Sequence, residues 1–362
     1  MLKLLFISTP VGPLGSGLGG GVELTLTNLA VEMLRRGHQV KIVAPAHSVW
    51  GDLSIEEIPG NLQIHAQTQG RDLPIQMPEN SVLGKMWDYA RTVQSDYDLI
   101  VNFAFDWLPF YLTPFFQCKI AHFVSMGSLS IALDEIMAQV AQNFPGTLGV
   151  YTQSQAATFP FASSCKILGS GIDLSMYEFC EKPDNALAWL GRIAPEKALE
   201  DAVEAAEITE TKLKIFGKIQ VQEYWEQICQ DYPAAPMEYM GFLSTENLQQ
   251  ELGKCRALLM TPRWVEAFGN VAIEALACGV PVIAYLRGGP AEIVQHGKTG
   301  FLVLPDSITE LVEAIGNIDQ IDRKLCREQA EQEYSLVGLG DRFETWFQDL
   351  VSEVGLNDGE RV

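Results

Sequence analysis

Short apolar runs closed by turn residues alternate with amphipathic stretches along almost the whole chain, and they do so in two series. The first series places strands at residues 2–8, 39–44, 62–66, 98–103, 119–124, 147–152 and 166–168. The second places them at 186–190, 212–216, 257–260 and 280–284. Continuous apolar runs of this length suit strands covered on both faces, as in a parallel sheet. Helical patterns lie between them: 23–36, closed by Gly37, then 196–206 and 271–277. Strand–helix–strand alternation of this kind winds helices over both faces of an open sheet. The expectation is an α/β chain of two Rossmann-like domains, with a ligand in the cleft between them.

The polar stretch 178–185, with Pro183, reads as the linker. The first domain is therefore expected at 1–177 and the second at 186–335, with a C-terminal helix within 336–362. That tail carries Phe343, Trp346, Phe347 and Leu350 on one helical face. A chain of 362 residues, 47% of them hydrophobic, can fill two cores.

Charge narrows the partners. Lys and Arg number 25 against 46 Asp and Glu, a net charge of −21. Such a surface repels nucleic acid and gives no reason for stable membrane association. A phosphate-bearing ligand must then be held by a few local cations or by backbone N–H groups. The seven cysteines form no C-x-x-C and suit buried thiols in a reducing compartment. The opening MLKLLFISTP reads as a first strand, and no apolar run reaches membrane-spanning length. The chain is expected to be cytoplasmic; its oligomeric state is not legible.

Three segments carry chemistry. The first runs from Gly12 to Glu23, between the first strand and the first helix. Missing Cβ atoms let backbone approach a ligand, and a helix start offers N–H groups to an anion. The G-x-G-x-x-G at Gly15, Gly17 and Gly20 invites a dinucleotide reading. Against it, the second strand ends in KIVAPAHS, with no carboxylate for a ribose.

The second segment is Gly191-Arg192-Ile193-Ala194-Pro195-Glu196-Lys197. It follows the first strand of the second series, where open α/β sheets bind ligands. Arg192 and Lys197 bracket the turn and suit a diphosphate. A lysine at a helix start works against the helix dipole, so its placement asks for a reason.

The third is Glu266-Ala267-Phe268-Gly269-Asn270, continuing to Glu274. Eight helical residues would put Glu266 and Glu274 about 80° apart around the axis. Glu266 is better placed in the loop and Glu274 inside the helix. Glu274 has the apolar neighbours Ile273, Ala275 and Leu276, so it needs polar partners, and paired ribose hydroxyls would serve.

In this order, and with Gly171-Ile172-Asp173 and the stretch VPVIAYLRGGPAEIVQHGKTGFLV, these segments resemble the retaining glycosyltransferases of family 4. The resemblance covers nearly the whole chain and is most specific in its C-terminal half. It implies the GT-B architecture of two facing Rossmann-like domains, with the last helix crossing back to the first. It implies that Arg192 and Lys197 bind the donor diphosphate and Glu274 the nucleotide ribose. Glu266 and His122 would be catalytic, with His122 ending a strand that faces the reacting sugar. Phe268, Gly269 and Asn270 would contact the sugar through backbone, and Gly20 and Gly21 would border it from the other domain. UDP-glucose is the implied donor, with the acceptor on the first domain. The residues leave open whether Glu266 is a nucleophile. Two cations and helix N–H groups can stabilise the leaving diphosphate, so no metal is expected.

Phe105, Asp106 and Trp107, after a strand's carboxyl end, offer aromatic faces and one carboxylate to a flat acceptor. The opening STPVGPLGSGLGGGVELTL resembles that of bacterial tetrahydrobiopterin glucosyltransferases, which implies a pterin acceptor. Alternatives are another small molecule or a polysaccharide precursor as acceptor, or a non-catalytic nucleotide-binding protein.

Overall fold

The computed structural model describes residues 1–352. By internal contacts the chain divides into two units, Met1–Ser170 with Leu336–Val362, and Gly171–Ser335. The last ten residues of the tail expected at 336–362 lie outside the described residues.

The first unit holds seven strands: β1 (Lys3–Ile7), β2 (Gln39–Pro45), β3 (Ile55–Ile58), β4 (Leu99–Asn102), β5 (Ile120–Val124), β6 (Leu148–Val150) and β7 (Cys165–Ile167). All pair in parallel, in the order β3-β2-β1-β4-β5-β6-β7. The helices α1 (Gly21–Arg35), α2 (Val82–Val93), α3 (Trp107–Leu112), α4 (Ile131–Asn143) and α5 (Gln153–Ala156) supply the crossovers. Helices on the sheet faces explain why β4 and β5 are buried at every position. One face packs Met86 and Trp87 of α2 on Leu5, Val43 and Ile100. Another cluster packs Met137 and Val140 of α4 on Val124, Leu148 and Val150. Trp87 is thus a core residue.

The second unit repeats the scheme with β8 (Ala186–Leu190), β9 (Lys212–Phe216), β10 (Met237–Gly241), β11 (Ala257–Met260), β12 (Val282–Tyr285) and β13 (Gly300–Val303). Their order is β10-β9-β8-β11-β12-β13, again all parallel. Its helices are α6 (Leu199–Ile208), α7 (Gln222–Asp231), α8 (Thr245–Gly253), α9 (Asn270–Ala277), α10 (Pro290–Ile293), α11 (Ile308–Asn317) and α12 (Arg323–Glu333). Both sheets reverse direction beside their first strand, between β1 and β4 and between β8 and β11. Loops leaving those strands splay apart at the carboxyl edge and leave a crevice there.

The final helix, α13 (Leu336–Ser352), belongs to the first unit. Phe343 packs on Phe123 with centroids 5.2 Å apart, and Phe347 on Phe6 at 6.4 Å. The Trp346 indole N–H donates to the Gly146 carbonyl at 2.7 Å. Each fully buried ring of this kind contributes about 1.5–3 kcal/mol. Arg36 of α1 ties Asp341 and Glu344 of α13 with ion pairs of 2.8 and 2.7 Å.

Three strands differ from expectation. Residues 62–66 are not a strand; the edge strand is Ile55–Ile58. Leu62 and Ile64 are exposed and Gln63 is buried, the reverse of what a sheet face would bury. Strand β10, with sequence MEYMG, lies at a sheet edge and is partly exposed, so it carries no apolar run. Strand β13 is likewise only four residues long.

Candidate active site

In the second unit the strand β8 leads into Gly191 and Arg192, and a single 3-10 turn, Pro195–Lys197, precedes α6. Ala198, between that turn and α6, has φ +45° although it is not glycine. Such backbone persists only where its surroundings fix it. The Thr261 hydroxyl does so, donating to the carbonyls of Ala198 at 2.7 Å and Lys197 at 3.2 Å. Lys197 is thereby aimed at the loop after β11. There its ammonium pairs with the Glu266 carboxylate and lies 4.9 Å from the Trp264 ring centroid. The Trp264 indole N–H donates to the same carboxylate at 3.0 Å. Burial pushes the Glu266 carboxyl up, but Lys197 and Trp264 outweigh it and hold it below its ordinary value. Glu266 is therefore an ionised, half-buried carboxylate.

Arg192 pairs with Glu196 at 3.1 Å and donates to the Gln220 side-chain oxygen. Both cations of the segment are thus held by carboxylates of their own chain.

Glu266 lies in the loop and Glu274 within α9. Gly269 caps α9 at φ +95°, and a Cβ there would stand 3.0 Å from the Met260 methyl. Phe268 is buried against Tyr334, and Asn270 is the first residue of α9. Glu274 is 9% exposed and accepts a hydrogen bond from the Tyr177 hydroxyl at 3.0 Å. Burial pushes its carboxyl up to about 7, against the opposing effect of Tyr177. The Glu266 loop is itself seated on a glycine pair. The Gly289 N–H donates to the Glu266 carbonyl at 2.7 Å. A Cβ on Gly288 would lie 2.5 Å from that carbonyl oxygen, and one on Gly289 only 2.2 Å from the Phe268 oxygen. Sequence reading did not assign roles to Trp264, Tyr177 or this pair.

In the first unit the glycine segment leads into α1, with Gly20 as its cap and Gly21 as its first residue, both exposed. Glu23 folds back on the loop: its carboxylate accepts from the N–H of Gly19 at 2.7 Å and of Gly17 at 3.3 Å. A Cβ on Gly19 would meet the Glu23 side chain at 2.6 Å. The glycines are needed here for a close approach within the chain.

A shallow pocket opens at the carboxyl edge of this sheet. It is built from residues 9–11 after β1, Gly19 and Val22, residues 63–67, Phe105 and Asp106 after β4, and Ser125 and Met126 after β5. Asp106 caps α3 through the Leu108 N–H at 3.3 Å and accepts from Gln63 Nε2 at 2.9 Å. Burial pushes its carboxyl up, against those hydrogen bonds. Trp107 stacks instead on Tyr111, with centroids 4.5 Å apart. Gln63 and Gln67 carried no sequence signal, because residues 62–66 read as a strand in which a glutamine looks like a solvent-facing side chain.

His122 corrects the sequence reading. It is the middle residue of β5, not its end, and is fully buried. Its two ring nitrogens lie 3.1 Å from the Asn102 amide nitrogen and 2.9 Å from the Thr113 hydroxyl, and its ring stacks on Phe110. Burial pushes its pKa down to about 3, so it is neutral. The residues β5 does present at the pocket are Ser125 and Met126.

Among the described residues no cluster of three His, Cys, Asp or Glu could hold a metal ion, and no helix is long and apolar enough to cross a membrane.

Two parallel Rossmann-like sheets, each with loops gathered at its carboxyl edge, define the GT-B class. Residues 179–335, most of the second unit, match the family described as glycosyl transferases group 1. Curated relatives match shorter stretches of the chain. Sucrose synthase isoform 1 of Daucus carota is 39% identical over 78 residues, 22% of this chain and 10% of that one. An uncharacterized glycosyltransferase of Methanocaldococcus jannaschii is 30% identical over 140 residues, 36% of each chain. The chain thus spans only a fraction of the length of these relatives. Among solved structures, Anabaena HepE in complex with UDP and glucose superposes with a TM-score of 0.76 at 18% identity, covering 96% of this chain and all of the other. Sucrose-phosphate synthase of Thermosynechococcus elongatus gives 0.72 at 19% identity, over 98% of both. At such identities the likeness is one of fold.

Proposed function

We propose that the chain is a retaining glycosyltransferase that moves glucose from UDP-glucose to a small uncharged acceptor, with tetrahydrobiopterin as the specific candidate. One observation carries the reading. Lys197, Glu266 and Trp264 converge at the carboxyl edge of β8 and β11, one helix away from the buried, raised carboxyl of Glu274. A nucleoside diphosphate sugar asks for this set: cations for the leaving group, a carboxylate near the sugar, and a dry carboxylate for vicinal hydroxyls. The UDP and glucose held by Anabaena HepE, which shares the fold, support the choice of donor.

In the reaction the bond between C1 of glucose and the diphosphate oxygen breaks. The acceptor oxygen bonds to C1 on the same face, and its proton passes to the departing phosphate oxygen. Arg192 and Lys197 take up the charge that gathers on the diphosphate, so the step calls for no divalent cation. Glu266, kept ionised, faces the positive charge on the sugar ring. Phe268, Gly269 and Asn270 contact the sugar from the start of α9. His122, neutral and walled in, takes no part. A polysaccharide or lipid-linked acceptor carrying phosphate fits less well, since no Lys or Arg lines the first unit's pocket.

The test is release of UDP from UDP-glucose in EDTA, with and without tetrahydrobiopterin. Pterin-dependent release, with an α-linked product by NMR, is expected. Release that stops in EDTA, or a β-linked product, overturns the mechanism. Neither UDP binding nor release overturns the donor.

A further inference from the structure

The pocket of the first unit has a polar wall that donor chemistry leaves unused. Gln63 is 6% exposed and donates from Nε2 to Asp106 at 2.9 Å. Only the N–H₂ end of an amide can meet a carboxylate oxygen, so this bond fixes how the amide is turned. Gln63 Oε1 then faces away from Asp106, buried, with no hydrogen-bond partner among the described residues. Gln67 Oε1, four residues on and lining the same pocket, is in the same condition. A buried carbonyl oxygen left unpaired is costly, and two in one pocket ask for a ligand that brings donors.

Asp106 adds a third acceptor beside them. No Lys or Arg lines the pocket, so a phosphate or carboxylate entering it would find no ammonium or guanidinium to pair with and would lie beside the Asp106 carboxyl group. Val22, Phe105 and Met126 supply apolar surface alongside, which suits the face of a ring better than the hydroxyl-covered face of a sugar.

We infer that Gln63, Gln67 and Asp106 recognise the acceptor and select an uncharged, flat heterocycle presenting at least two N–H donors along one edge. The inference rests on the acceptor reading above and deepens it. The amide oxygens accept from ring N–H and exocyclic amino groups. A ligand that turns a carbonyl toward the same wall meets oxygen against oxygen and is rejected.

The test compares 6-hydroxymethylpterin with 6-hydroxymethyllumazine, in which a carbonyl replaces the 2-amino group. Binding of each to the full chain is followed by titration calorimetry, with UDP titrated separately. The pterin is expected to bind at least about tenfold more tightly than the lumazine, since an unpaired buried polar group discriminates by that factor or more. Gln67→Met should bring the ratio close to one and leave UDP affinity unchanged. Gln63→Met should do the same. Because Gln63 also steadies Asp106, its melting curve is taken as a check on folding, and Gln67→Met decides the matter if that variant unfolds. Equal affinities, no pterin binding, or a ratio unmoved in Gln67→Met overturns the inference. UDP binding without pterin binding removes this wall and spares the transferase. Pterin binding without UDP binding does the reverse.

Discussion

Replacing Glu274 by Gln should stabilise the protein, and by more as pH rises. The carboxyl is buried inside α9 and lifted from 4.5 to about 7. The folded state therefore holds this proton more tightly than the unfolded chain does. Between those two values folding takes up a proton, and stability falls as pH rises through the window. Above about pH 7 the loss levels off. At about 1.36 kcal/mol per pH unit, the ionised carboxylate costs the folded state about 3 kcal/mol at pH 8. Glutamine has the same shape, its amide oxygen can accept from Tyr177, and it has no proton to lose. Comparing wild type with Glu274→Gln at each pH removes the contribution of other titrating groups. The variant's advantage should grow by about 2 kcal/mol between pH 5.5 and 8.5, or about 4–8 °C in melting temperature. Scanning calorimetry across that range reads it directly. UDP should then raise the melting temperature of wild type more than that of the variant, because ribose hydroxyls pair better with the carboxylate. A variant that melts at or below wild type at pH 8.5 would refute the reasoning, since burial of Glu274 would then be fully compensated by its surroundings.

Other substitutions test the neighbouring parts. Glu266→Gln frees Lys197 from its carboxylate, so UDP should bind a few-fold more tightly by calorimetry while kcat falls at least a hundredfold; parallel loss of both would make Glu266 a nucleotide ligand. Gly288→Ala places a Cβ 2.5 Å from the Glu266 carbonyl at φ +68°, and should cost about 1–3 kcal/mol in urea unfolding and lower kcat by displacing that loop. Arg71 binds the Ser128 hydroxyl at 2.8 Å and Asp134 at 3.1 Å, pinning the segment that carries Gln63 and Gln67 to the start of α4. Arg71→Ala should raise KM for the acceptor about tenfold and leave KM for UDP-glucose unchanged.

The sheets were legible because each central strand is apolar at nearly every position, and burial on both faces requires that. The edges were not. Strand β10 pairs on one side only, so MEYMG needs no apolar run, and residues 62–66 look strand-like although Gln63 is the residue they bury. His122 departs from what the resemblance implies: it lies in mid-strand rather than at the strand's end, and it joins Asn102 to Thr113 within the core.

The two candidate sites, one in each unit, differ in legibility because the ligands proposed for them make different demands. A diphosphate dictates residue types, since it asks for cations, N–H groups and closely approaching glycines, and cations are few in a chain with 25 Lys and Arg against 46 Asp and Glu. Arg192, Lys197 and the loop before α9 therefore stood out. Yet both cations are paired with carboxylates of their own chain, Arg192 with Glu196 and Lys197 with Glu266. On the proposed reading an arriving diphosphate exchanges for those partners, so donor binding would be a swap of anions at fixed cations, with Glu266 released toward the sugar as Lys197 is taken. An uncharged acceptor dictates no residue type. In the proposal above its recognition includes the Gln63 amide oxygen, whose orientation is set only in three dimensions, by the bond from Gln63 to Asp106. A glutamine on an irregular segment looks like any other in a sequence. It becomes informative once its nitrogen is known to be spoken for and its oxygen is not.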